Sequence, residues 1–315
     1  MAKGMFSQGV ALLTDGTTTI GNLKQALEHH NAKIAKEVPG GEHWEFSGDS
    51  LIIPFLPQVN GYAAVDVVNR PWPDDMGDPK ASPFLFGAWT MGHFGPFAFP
   101  GSLERAGQHS WTWAGGRTVA QGHRGFVRMR TSYTFGAADD APVLPTEYDP
   151  VNEMMFLSRV TVALLGAPGV LCYFNPNGEV LRDRKSFVDF WKPCTAAGKI
   201  PLQLWSNVRL FKVNDRLTLM DTVGHAQLDV RDVEAVFPTD RYNPRDVDYY
   251  LRNVAHYLLD LGRDIETGEA IDGPGETNLS WTVEQVDQSP ISPPRRLLRL
   301  YPKDQAAQVR AALAD

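Results

Sequence analysis

The sequence predicts an α+β protein in which mixed β-sheets are covered by helices. Three observations predict it. Short apolar runs rich in β-branched residues alternate with segments whose apolar residues recur every three or four positions. The helical segments carry capping and stop signals at their ends. With 43% hydrophobic residues over 315 positions, the chain can bury a large core, in one domain or in two closely associated ones.

In chain order, "GVALLTD" reads as a strand, and "TIGNLKQALEHHN" follows as a helix with Ile20, Leu23 and Leu27 on one face. "AKIAKEV", "SLIIPFL" and "YAAVDVVNR" read as three strands, a β-α-β-β opening that resembles half of an α/β plait. Residues 71–116 hold many of the prolines, glycines and tryptophans and show no clean period. They are expected to form a long irregular excursion, packed by its own aromatics or used for function. "GFVRMRTSYTF" restores a strand.

Asp149 suits an N-cap, Pro150 the first helical position, and Glu153 the positive end of the helix dipole. Gly166 and Pro168 stop that helix. "GVLCYF" is a short apolar strand, "NPNG" a turn, and "EVLRDRKSFVDFWK" (179–192) a helix ended by Pro193. "LQLWSNVRLFKV" and "LTLMDTVGHAQLDVRDVEAVF" supply strands. Asn243 and Pro244 open a helix with the apolar stripe Val247, Tyr250, Leu251, Val254, Tyr257, Leu258 and Leu261, and Gly262 closes it. "LSWTVEQV" and "RRLLRLYP" end the chain as strands, with a short final helix. The element order suggests two similar α/β-plait-like halves meeting near residues 140–150. The N-terminal half, 1–145, contains the excursion, and the C-terminal half spans 146–315.

Composition excludes several functions. The net charge is −7, with 11 basic and 15 acidic side chains in residues 1–150 and 19 and 22 in the rest. A chain so balanced is poorly suited to a phosphate backbone, so nucleic acid is not an expected partner. The apolar runs fall well short of the roughly 20 residues a membrane span needs. The N-terminus lacks the apolar segment of a signal peptide, so a cytoplasmic location is expected. Cys172 and Cys194 form no CxxC pair and no zinc spacing, and are expected to stay reduced.

The candidate chemistry is sparse. His93, His109 and His123 lie 16 and 14 residues apart, without the close ligand pairs of a metal site. Neither a metal nor a cofactor is expected. These imidazoles are expected to hydrogen-bond to loop carbonyls. No GxSxG elbow and no phosphate-binding glycine pattern occurs; Ser102 in "PGSLE" suits a helix N-cap. Cys172 lies in an apolar strand, where burial would raise the thiol pKa and make it inert.

Arg117, Arg124, Arg128 and Arg130 occur with no acid between Glu104 and Asp139. On a strand, Arg124, Phe126, Arg128 and Arg130 share one face. Such a row either pairs with acids of a neighbouring element or receives an anionic substrate. The acids are clustered too: Asp139, Asp140, Glu147, Asp149 and Glu153; Asp74, Asp75 and Asp78 in "WPDDMGDPK"; and six acids against Arg263 in residues 260–276. The 179–192 segment adds Glu179, Asp183 and Asp189, between two hinge-capable stretches. These clusters are either a solvated surface or carboxylates that engage a basic protein.

The segment from Glu234 to Trp281, through "EAVFP", "YYLRNVAHYLL", "IETGEAIDGPGE" and "LSWTV", resembles the bacterial domain-of-unknown-function family 4261. "SQGVALLTD" and "PGVLCYFNPNG" look like that family as well. The resemblance is most specific over residues 229–285 and supplies no catalytic residues. Proteins of this description also look like immunity proteins encoded beside type VI secretion effectors. That resemblance implies a non-enzymatic binding protein that occludes a cognate toxin through an acidic surface. A nuclease, basic around its site, would suit such an inhibitor. Two other readings stay open. One is an enzyme using His93, His109 or His123 with the Arg124–Arg130 row on an anionic small molecule; the other is an adaptor or chaperone that loads an effector.

Overall fold

The computed structural model describes residues 3–41, 44–138, 140–275 and 279–314. The chain divides into two compact units, Met1–Trp205 and Ser206–Asp315. The first holds β1 (Gln8–Thr14), α1 (Ile20–His29), β2 (Lys36–Val38), β3 (Ser50–Leu56), β4 (Gly61–Val68), α2 (Pro83–Thr90), α3 (Ser102–Gln108), α4 (Gly116–Gly122), β5 (Gly125–Ser132), α5 (Pro150–Leu164), β6 (Val170–Asn175), β7 (Val180–Arg182) and α6 (Arg184–Ala196). The second holds β8 (Asn207–Lys212), β9 (Leu217–Val223), β10 (Asp232–Pro238), α7 (Pro244–Leu261), β11 (Ala270–Asp272), β12 (Ser280–Val286), β13 (Leu297–Pro302) and α8 (Ala306–Ala314). The α+β class expected from the sequence is the class observed.

The first unit is built on a seven-stranded sheet of order β2-β3-β4-β5-β1-β6-β7. Every pair in it is antiparallel. Because β6 pairs with β1 (Leu12 opposite Tyr173), residues beyond 145 complete the first sheet, and the boundary falls at Trp205 instead of near residue 145. The second unit has a six-stranded sheet of order β11-β12-β13-β10-β9-β8, with β10 and β13 parallel. The halves therefore differ in strand number, order and direction; element order had suggested a likeness that the pairings do not carry.

Alternation along the strands sorts the first sheet into two faces. Ala11, Leu13, Val68, Phe126, Cys172, Phe174 and Leu181 pack with Trp72, Trp89, Phe94, Leu103, Ala106 and Ala120 of the segment between β4 and β5. That segment was expected to be irregular, yet it contains α2 and α3 and leads into α4. Glycine lets it approach the sheet: a Cβ on Gly9 would sit 3.2 Å from the Gly95 Cα, and Gly95 itself has φ +121°. Helices α1 and α5 touch each other and contact β3 and β1 respectively. Leu23 and Leu27, then Met154, Leu157 and Val160, are among their buried residues.

Several local expectations hold. The Asp149 side chain accepts from the Val151 and Asn152 N–H groups at the start of α5, and α1 has a cap the sequence reading did not name, Thr19 in a reciprocal box with Asn22. Asn243 caps α7, and Gly262 ends it in the left-handed region at φ +65°. Val247, Leu251, Val254 and Leu258 are buried, but Tyr257 points to solvent.

Two expectations fail. Residues 179–192 are not one helix: Val180–Arg182 pair with β6, Asp183 caps α6, and α6 runs through Pro193 to Ala196. Val180 and Leu181 are buried in the sheet, and that burial outweighs their helical spacing. Ser102 does not cap α3 either. Gly101 is the N-cap residue, and the Asp74 carboxylate accepts the Leu103 and Glu104 N–H groups, both at 2.8 Å.

In the second sheet, Val208, Met220, Val233, Ala235, Phe237, Trp281, Val283, Leu298 and Leu300 form a core with the apolar side of α7. The opposite face carries Leu217, Leu219, Val236 and Tyr301, packed with Val309 of α8.

Candidate functional site

Three of the candidate residues, His93, Arg128 and Arg130, converge on the face of the first sheet toward the β4–β5 segment. Asp66 on β4 stands opposite Arg128 on β5, and Gly9 on β1 stands opposite Arg130. Arg128 donates from Nη2 to Asp66 Oδ2 at 2.6 Å and also to the Phe46 carbonyl. Arg130 donates from Nη2 to Asp66 Oδ1 at 2.9 Å and from Nη1 to His93 Nδ1 at 3.1 Å. The Arg128 guanidinium lies 5.3 Å from the Trp44 ring and 5.5 Å from Phe94; Arg130 lies 4.2 Å over Phe6. Exposure is 1% for Asp66, 3% for Arg128 and 8% for Arg130.

Burial alone would raise the Asp66 carboxyl, but the two guanidiniums more than reverse this and hold it below its ordinary range. Burial, with Arg130 and Arg128 beside it, pushes His93 down to about 3, so its imidazole is neutral at pH 7. Burial and then Arg128 lower Arg130 to about 10. The arginine row thus pairs with an acid of the neighbouring strand. Arg124 lies exposed just before β5 and Arg117 exposed on α4, so neither joins this cluster.

The three histidines do not form one site. The His123 Nε2 accepts the Trp72 N–H at 2.7 Å, and its Nδ1 bonds the Ala120 carbonyl, which fixes a neutral ring inside the fold. His109 is the C-cap residue of α3, and its ring lies 5.9 Å from Trp111. No group of three or more His, Cys, Asp or Glu able to hold a metal ion occurs among the described residues. Cys172 is fully buried, and burial pushes its thiol up to about 12.

The acids divide between scaffold and surface. Glu179 is 1% exposed, sits at φ 51° and receives Arg105 Nε at 2.6 Å, which withdraws it from the expected contact surface. Asp74 is spent on α3, Asp183 on the Ser186 N–H at 2.7 Å, and Asp149 on α5. Asp75 turns back on the Gly77 N–H, and Asp78 on those of Lys80 and Ala81. Both keep exposed side chains, as do Asp140, Glu147, Asp149 and Asp189, the last beside Lys185. Asp139 lies outside the described residues.

Glu153 behaves differently from the other acids. It is fully buried, its Oε1 accepts the Ser7 hydroxyl at 2.7 Å, and burial pushes its carboxyl up to about 7 against the pull of Ser7 and Lys3. An acid raised in the folded state contributes stability below its unfolded pKa, near 4.5, and loses it as pH rises through about 7. From pH 8 to pH 5, this group should therefore add up to about 3 kcal/mol. Glu153→Gln should flatten that part of the stability–pH profile measured by urea unfolding. An unchanged slope would remove Glu153 as its source.

The second unit carries an ionic row across five strands. Arg209 stands opposite Asp221, Asp221 opposite Glu234, Glu234 opposite Arg299, and Arg299 opposite Glu284. Arg209 is bidentate on Asp221 (Nε–Oδ1 2.9 Å, Nη2–Oδ2 2.8 Å), and Arg295 approaches the same carboxylate.

Residues 221–301, which contain most of this row, match the family model described as Domain of unknown function (DUF4261). No curated protein and no solved structure matches the chain. The DUF4261 match runs from within β9 to within β13 and covers about a quarter of the chain. It contains α7 and most of its core partners, the region where the sequence resemblance was most specific. "SQGVALLTD" and "PGVLCYFNPNG" lie outside the DUF4261 match. No helix among the described residues is long and apolar enough to cross a membrane.

Asp66 escaped the sequence reading because it sits inside the apolar run "YAAVDVVNR", 62 residues before Arg128. A lone acid in such a run is itself a signal, since an unpaired buried carboxylate is costly.

Proposed function

We propose that this protein works by occupancy, as an immunity protein that binds and blocks a cognate toxin delivered by a type VI system. The observation that carries this reading is the surface left once the candidate catalytic groups are placed. His123 and Cys172 are committed to the fold and Arg128 and Arg130 pair with Asp66 inside it, while the β4–β5 segment presents Phe84, Trp111 and Met91 at 72%, 67% and 57% exposure. Exposed aromatics are side chains that anchor protein interfaces, and exposed acids such as Asp75 and Asp78 on the same segment would select a basic partner. The contact acids in this reading are Asp75, Asp78, Asp140, Glu147 and Asp189.

The test is growth rescue. Each toxin candidate encoded beside this gene is expressed with the wild-type protein, with a Phe84→Ala/Trp111→Ala variant, and with an Asp140→Asn/Glu147→Gln/Asp189→Asn variant. Wild type should rescue growth against one toxin. The aromatic variant, folded by circular dichroism, should bind that toxin at least about thirtyfold more weakly. Absence of rescue by the wild type against every candidate would end the immunity reading.

A further inference from the structure

The guanidinium pair on the first sheet holds more positive charge than the described residues around it neutralise. Two guanidiniums share the single carboxylate of Asp66, and the third polar neighbour, His93, is uncharged at pH 7. The hydrogen-bonding capacity left over is all of one kind. Arg128 Nη1, Arg130 Nε and Trp44 Nε1 are buried N–H groups without an acceptor among the described residues. Because His93 Nδ1 accepts from Arg130, its proton sits on Nε2, a donor on a side chain that is itself only partly buried.

Buried donors without acceptors are costly, and a guanidinium matches the two oxygens of a carboxylate or phosphate. Arg128 and Arg130 are 97% and 92% buried, and their dry surroundings strengthen the attraction for an anion. Trp44 and His93 are only partly buried, which places the approach on their side, and the Phe6, Trp44 and Phe94 rings wall the charges.

We infer that Arg128, Arg130, Trp44 and His93 form an oxyanion-binding site, which takes the carboxylate or phosphate group of a small ligand through unused N–H donors beside Asp66. The site is independent of the proposed toxin partner. Binding there would tie the β4–β5 segment, through His93, to the central strands, through Arg130.

The experiment is a calorimetric titration of the wild-type protein with sodium acetate and, separately, with inorganic phosphate, at pH 7 and fixed ionic strength. The Nε–H resonance of Arg130 is followed by NMR in parallel. Saturable binding of one equivalent is expected for at least one probe, with the Arg130 resonance shifting along the same curve. Whichever probe saturates identifies the group recognised. His93→Leu should weaken binding about tenfold, the loss of one charge-assisted hydrogen bond. Arg130→Lys, which keeps the charge but loses the planar fork, should weaken it further. Non-saturating heats for both probes would mean that water meets these donors, and would overturn the inference. Saturable binding without a shift at Arg130, or binding equal in wild type and His93→Leu, would overturn it as well.

Discussion

Asp66→Ala is expected to destabilise the protein by about 3–5 kcal/mol, the loss typical when one partner of a buried ion pair is removed. The cause is what remains. Arg128 and Arg130 would stay buried at 3% and 8% exposure, facing each other's charge with only the Phe46 carbonyl and His93 as acceptors among the described residues. Urea unfolding followed by tryptophan fluorescence measures the loss. A companion variant separates charge from packing: Asp66→Leu/Arg128→Met/Arg130→Met removes all three charges and should lie closer to wild type than Asp66→Ala. A loss under about 1 kcal/mol for Asp66→Ala would place the pair in contact with solvent. The sign with pH follows from the lowered carboxyl. Asp66 contributes stability above its unfolded pKa, near 3.8, and loses it as pH falls through the folded value. Asp66→Ala should therefore blunt acid unfolding.

Asp221→Ala should cost about 3 kcal/mol for the same reason in the second unit. Arg209 is 1% exposed and would lose a bidentate partner. Two contacts soften the loss: Arg209 keeps the Ser292 carbonyl at 2.7 Å, and Arg295 keeps Asp232 at 3.5 Å. Removing that carbonyl's partner as well, in Asp221→Ala/Arg209→Met, should recover part of the stability. If the double variant were less stable than Asp221→Ala, the uncompensated guanidinium would not be the source of the loss. Urea unfolding of both variants decides this.

The parts of the fold legible in the sequence were those written locally. Helix α7 carried its own start at Asn243–Pro244, its stop at Gly262 and a long apolar stripe, and α5 carried the Asp149 cap. The parts that were not legible depend on distant residues. The start of α3 was marked at Ser102, one residue from its N-cap, but its capping group was not, because its N–H groups are met by Asp74 from 29 and 30 positions away. Val180 and Leu181 lie on helical spacing with Phe187 but are drawn into the sheet by β6. The shared face of Arg128 and Arg130 was visible from alternation alone, but their common partner Asp66 was not. The surface acids were visible as clusters, though their division between cap, turn and free carboxylate appears only once the backbone is placed.

The strand order of the first sheet also sets a timetable. On a translating ribosome, β1 leaves the exit tunnel early, and yet its two neighbours are β5 and β6. β3 and β4 can zip together as they emerge, but Val10, Leu12 and Leu13 wait for roughly ten seconds or more of synthesis before Gly125–Ser132 arrives. Until Val170–Asn175 follows, the other edge of β1 stays open. Over most of the synthesis of its first unit a nascent chain of this protein thus carries β1 with both edges unpaired, and a chain cut short before β5 would hold an open strand in place of a smaller domain.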